Sequence, residues 1–113
     1  FDAVCKGLYT ADWINTNDYA ARQDGFVTAY AESSPFEDFV EMISIMLTEG
    51  KSGFDNIVNS ITGTSYRGTT ADQAKARLRQ KESIVVDYYK KAWSIDFYTL
   101  QTRVRTAIVN ELY

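Results

Sequence analysis

The stretch that decides the fold runs from Ser33 to Leu47, "SSPFEDFVEMISIML". Pro35 suits the first position of a helix, because its missing N–H would be unpaired there anyway. Ser34 ahead of it is a good N-cap, and Ser34-x-x-Glu37 has the form of a capping box. The pattern predicts a helix from Ser34 to Thr48 that stops at Gly50, a common C-terminal residue.

At about 100° per residue, Phe36, Phe39, Val40, Ile43, Met46 and Leu47 form one broad apolar stripe. Met42 and Ile45 fall on the other side. A helix apolar on nearly every side belongs in a core. Glu37, Glu41, Ser44 and Thr48 make a narrow polar stripe beside the main apolar face.

Working outward, residues 1 to 32 follow no helix or strand period for long. They read as a loop with short helical turns and a brief extended piece at "FVTAY". An ordered loop of this length in a small domain is usually functional or clasped by something else. Downstream, "SGFDNIVNSI" reads as a short helix from Ser52 to Ile61, and "TGTSYRGTT" as a loop. Thr70 caps a long helix with Gln73 in the box position, and helical spacing holds to Trp93. Lys75, Arg79 and Glu82 are expected on its outer face. Asp96 is the expected cap of a last helix carrying Phe97, Leu100, Val104, Ile108 and Leu112, with Ile95 and Leu100 placed as a staple. The class is all-α, a small bundle of four or so helices behind a long irregular N-terminal segment. The whole of 1–113 reads as a single domain.

Composition narrows the function. The 113 residues suffice for one core. A net charge of −3 argues against a nucleic-acid partner, which needs a basic face. No apolar run is long enough to span a membrane, and no signal peptide is recognisable, so any export signal would lie outside these residues. The lone Cys5 allows no internal disulfide. Histidine is absent altogether, which rules out an imidazole metal site or a His-based acid or triad built from these residues alone. The chain begins at Phe1 without Met, as a processed chain or a piece of a longer one would.

Two readings of Glu37 and Glu41 stand side by side. In the local one, Glu37 closes the capping box and favours the positive end of the helix, while Glu41 is a solvated edge residue. In the other, two carboxylates one turn apart beside a core repel each other unless a cation is near. Zinc accepts a carboxylate oxygen alongside imidazoles, and a second carboxylate can orient a metal-bound histidine from behind. That reading needs histidines from elsewhere.

The run "SSPFEDFVEMISIML" resembles the third-ligand helix of zincin metallopeptidases of the gluzincin type. A wider ordered set is similar to the C-terminal part of zinc-binding metallopeptidase lipoproteins encoded beside outer-membrane nutrient-import systems of Gram-negative bacteria. That set is Asp12-Trp13, "GFVTAYAESSPFEDFVEMIS" and "KESIVVDYYKKAWSIDFYTLQTRV". The resemblance implies a zincin-like C-terminal subdomain and zinc as the cofactor of the longer protein. Glu37 matches the zinc-ligand glutamate, and Glu41 matches the second glutamate, which supports the ligand shell. Asp38 between them would cap the helix or hold a loop. Tyr30 lies in a segment that approaches the cleft and could donate to a tetrahedral oxyanion; the plain alternative is a packed aromatic with a satisfied hydroxyl.

The family's His-Glu-x-x-His helix, with its catalytic base, has no counterpart here. The resemblance therefore implies either a C-terminal portion that completes an upstream catalytic part or a relative that has lost the metal. Hydrolysis by residues 1–113 alone is not expected. The implied partners are that N-terminal catalytic part and a peptide or protein substrate. The implied location is the cell envelope, as an outer-membrane lipoprotein or in the periplasm. A metal-free helical binding or scaffold domain of an import complex is the alternative. Among the remaining features, Lys75, Arg77, Arg79 and Lys81 read as a solvated helix face, and Tyr88, Tyr89, Trp93, Phe97 and Tyr98 as core packing. Cys5 reads as a small buried or semi-exposed thiol.

Overall fold

Local signals place the helices where the sequence puts them. The computed structural model describes residues 1–112. Among these, α1 is Asp18–Arg22, α2 is Pro35–Asn59, α3 is Ala71–Trp93 and α4 is Phe97–Leu112. Short 3-10 turns occupy Ala11–Asn15 and Tyr30–Ser33. The all-α expectation holds, and the only β pairing among the described residues is an isolated bridge between Thr64 and Thr70. The expected extended piece at "FVTAY" is not a strand. Phe26 and Val27 are wholly buried in a bend, and Tyr30 opens a 3-10 turn.

The caps are chemical. Ser34 Oγ accepts the Glu37 N–H at 3.1 Å, with Pro35 in the first turn. Both halves of the Thr70–Gln73 box form, at 3.0 and 3.2 Å. Asp96 accepts from the Tyr98 N–H and the Thr99 hydroxyl at the head of α4. At the end of α3, Ser94 takes the left-handed conformation (φ 55°) and closes the helix.

Gly50 stops the first helical run as expected, yet the chain re-enters a helix at once. The two expected helices therefore form one element interrupted at a single residue. Gly50 sits at φ 75°, ψ 178°, a region essentially reserved for glycine. The break exposes carbonyls that would otherwise be unpaired. α4 satisfies two of them: Gln101 Nε2 donates to the Met46 carbonyl at 2.7 Å, and Arg105 donates to that of Thr48 at 2.7 Å.

Packing redistributes the faces of α2. It lies against α3, α4 and the Tyr30–Ser33 turn. The buried line runs Asp38, Met42, Met46, Gly50, at the i, i+4 spacing of one helix face. Met42 and Met46 join Val27, Phe54, Val58, Ile61, Ala74, Leu78, Val85 and Phe97 in the main core. Phe36 and Val40, expected in the buried stripe, are 70% and 41% exposed. The wheel could not tell the two sides apart, because both are apolar.

α3 departs further from expectation. Lys81, read as part of a solvated face, is completely buried, and Glu82 nearly so. Glu82 closes a network with Lys51, Arg79 and Asp55. Aromatic packing is edge to face along Phe1, Phe39, Tyr88, Tyr89 and Phe97, but of the rings expected in the core Tyr88, Trp93 and Tyr98 are exposed, as is Leu112 on α4. Cys5 is buried with Ala21, Phe26 and Ala31 in a second small core under the N-terminal loop.

Candidate metal-ligand site

The first turns of α2 carry three acidic residues that the helix sends in different directions. Asp38 points inward. It is wholly buried, 2.7 Å from Lys81 Nζ, and accepts the Tyr9 hydroxyl at 2.7 Å. Burial pushes its carboxyl above the ordinary carboxylate range, and the Lys81 ammonium pulls the other way. Lys81 also donates to the Gly25 carbonyl at 2.7 Å and stands 4.2 Å over the Phe26 ring. Asp38 thus holds a loop, the second of its two expected roles.

Glu37 and Glu41 lie on the neighbouring, partly exposed side. Only one half of the Ser34 box forms. The Ser34 side chain takes the Glu37 N–H, but the Glu37 carboxylate does not return to the Ser34 N–H. That carboxylate faces Tyr30 instead. Its charge is the foremost reason that the phenol's pKa is raised, ahead of slight burial and a smaller contribution from Glu41. Tyr30 is held in place by the edge of Trp13, with ring centres 4.9 Å apart. Glu41 accepts the Thr28 hydroxyl at 3.0 Å, and the same hydroxyl oxygen accepts the Ala31 N–H at 3.2 Å. The structure therefore brings Tyr30, Glu37 and Glu41 together on one surface, flanked by the exposed rings and methyls of Phe36 and Val40.

The loop that presents Tyr30 is fixed at its ends. Arg67 donates to the Leu8 carbonyl at 2.6 Å and to Glu32 at 3.3 Å. Glu32 is buried, which raises its pKa, while Arg67 opposes the rise. Thr28, Lys81 and Arg67 were not visible as site-supporting residues in the sequence. Their partners lie 13 to 59 positions away, so no local spacing announces them.

As a donor set, this surface offers carboxylates of the kind that zinc accepts. Glu37 is the better placed, because its cap leaves it free. Among the described residues no group of three His, Cys, Asp or Glu side chains could hold a metal ion. The surface thus fits one contribution to a zinc shell, not a whole one.

Residues 1–98 match the family described as "Putative zinc-binding metallo-peptidase", and the chain belongs to that family. Among solved structures, it is similar to a crystal structure described as a "putative zinc-binding metallo-peptidase" from Bacteroides caccae. The two are 29% identical with a TM-score of 0.79 over 98% of this chain. The match spans only 40% of that protein's length. None of the curated proteins matches the chain. The family is thus described as zinc-binding and peptidase-like.

Proposed function

We propose that this chain is the portion of a zinc-dependent peptidase that supplies the glutamate ligand. In the intact protein, Glu37 would hold zinc together with two histidines of a His-Glu-x-x-His helix outside these residues. Glu41 would support that shell from behind. When bound, zinc supplies a Lewis acid for the peptide carbonyl and an acidified water. The residues of this chain do the rest of what falls to them. Glu37 offers one carboxylate oxygen, and the Tyr30 hydroxyl, protonated at neutral pH, can donate to the oxyanion that develops on the substrate carbonyl.

One observation carries this reading: the Glu37 carboxylate is not consumed by its own helix cap and stands beside a phenol on an open surface. A glutamate that only capped α2 would turn back to the Ser34 N–H. The substrate would be a peptide or protein. The sequence resemblance extends the proposal to the cell envelope, with the intact protein as a lipoprotein or periplasmic enzyme.

The test is zinc content and affinity of the natural polypeptide carrying this sequence, compared with Glu37→Gln. One zinc per protein, weakened or lost in the variant, is the expected result. A polypeptide that binds no zinc, or a Glu37→Gln variant that binds it unchanged, would leave the metal-free binding or scaffold domain as the better reading.

A further inference from the structure

We infer that Thr28 is a positioning residue of the candidate zinc shell, its hydroxyl aiming Glu41 by tying the Tyr30 loop to α2. A threonine hydroxyl has one proton to give and two lone pairs to receive. At Thr28 the oxygen already accepts the Ala31 N–H at 3.2 Å, and the proton goes to Glu41 Oε1 at 3.0 Å. The Ala31 bond has its own consequence. It closes the turn that contains Ala29 and Tyr30, the residues between the two partners, and so sets where the phenol stands. The loop therefore meets the helix at Glu41, through the Thr28 hydroxyl.

The physical need for such a clasp follows from the helix itself. Carboxylates at i and i+4 repel, and both side chains are long enough to swing apart toward solvent. The Thr28 hydroxyl holds Glu41 near α2, and it is itself fixed, because it is partly buried and bonded in both directions. Nothing in the local sequence marks it; the residue matters only because the loop folds onto α2. This inference rests on the zinc-ligand reading of Glu37.

The experiment measures zinc affinity of the natural polypeptide by competition with a chromophoric chelator, and melting of the metal-free protein, for five variants. Thr28→Val keeps the shape and removes the hydroxyl. It should weaken zinc binding about tenfold, the lower end of what loss of an outer hydrogen-bond partner costs a metal site, beside a small fall in melting from the Ala31 N–H left unpaired. Thr28→Ser should restore the affinity. In a Glu41→Ala background, which removes the acceptor, adding Thr28→Val should cost nothing more, since the hydroxyl acts through Glu41. Unchanged affinity in Thr28→Val, an equal loss in the Glu41→Ala background, or a loss that tracks melting and is not restored by serine would each overturn the inference. Glu37→Gln separates the two ideas. If it weakens zinc binding and Thr28→Val does not, only the clasp is wrong; if it changes nothing, the ligand reading fails and takes the clasp with it.

Discussion

Replacing Lys81 by methionine is the sharpest probe of this fold. The aliphatic stem survives, so packing changes little. What disappears is an ammonium with no exposure to solvent, bonded at 2.7 Å to both Asp38 and the Gly25 carbonyl. Asp38 would keep only the Tyr9 hydroxyl on the same oxygen, its other oxygen already being without a partner. Removing one member of a buried pair costs about 3–5 kcal/mol, a large part of the 5–15 kcal/mol or so that holds a domain together. At roughly 4 °C per kcal/mol for a chain of this length, melting should fall by about 12–20 °C. The loss should be smaller in acid. A carboxyl with a raised pKa keeps its proton in the folded state, so stability declines as pH climbs through the ordinary Asp value toward the raised one, and Asp38 without Lys81 is raised further. The assay is thermal and urea unfolding followed by helical circular dichroism. The double variant Asp38→Leu/Lys81→Met should recover most of the loss, because an apolar pair of similar size replaces a buried ion pair at little cost. A single variant that loses less than about 1 kcal/mol, as a surface substitution would, would refute the burial of Lys81. A double variant weaker than the single would refute the energetic argument.

Other consequences can be measured alongside. Glu37→Gln should let the Tyr30 phenol ionise closer to its ordinary pKa of 10.0, because the neighbouring charge holds the proton on; a ring-carbon NMR titration would read the shift, and no change would mean that the two groups do not face each other. Asp55, held below its ordinary pKa of 3.8 chiefly by Arg79 and then by Lys51, contributes stability that is present above that value and is lost as pH falls below it. Asp55→Asn should therefore cost about 0.5–1 kcal/mol near neutrality, discounted for partial exposure, and nothing in strong acid. Gly50→Ala should cost about 1–3 kcal/mol from backbone strain alone, since an added methyl would meet only the Arg105 side chain at 3.5 Å; an unchanged melting point would mean that the break between the halves of α2 relaxes.

Much of this architecture was legible from short-range chemistry. Ser34 with Pro35, Thr70 with Gln73, and Asp96 each begin a helix with atoms supplied within three residues. Gly50 ends a run because no other residue rests easily at its φ and ψ. The grouping of Tyr30, Glu37 and Glu41 came from resemblance and not from spacing, since Tyr30 lies on a different element. What a wheel could not resolve was which apolar side of α2 turns inward: Phe36 and Val40 were as plausible as Met42.

The sequence by itself determined the helices, their caps and the break at Gly50, because those depend on backbone geometry and neighbours a few bonds away. Only the tertiary structure decided the fate of the charges. Asp38 and Glu37 are adjacent in the chain and chemically alike, yet one is buried against Lys81 and the other stands free beside Tyr30. That division is made by side chains from α3 and from the N-terminal loop. Their approach depends on the burial of the whole core, a sum over distant contacts that no window of sequence contains.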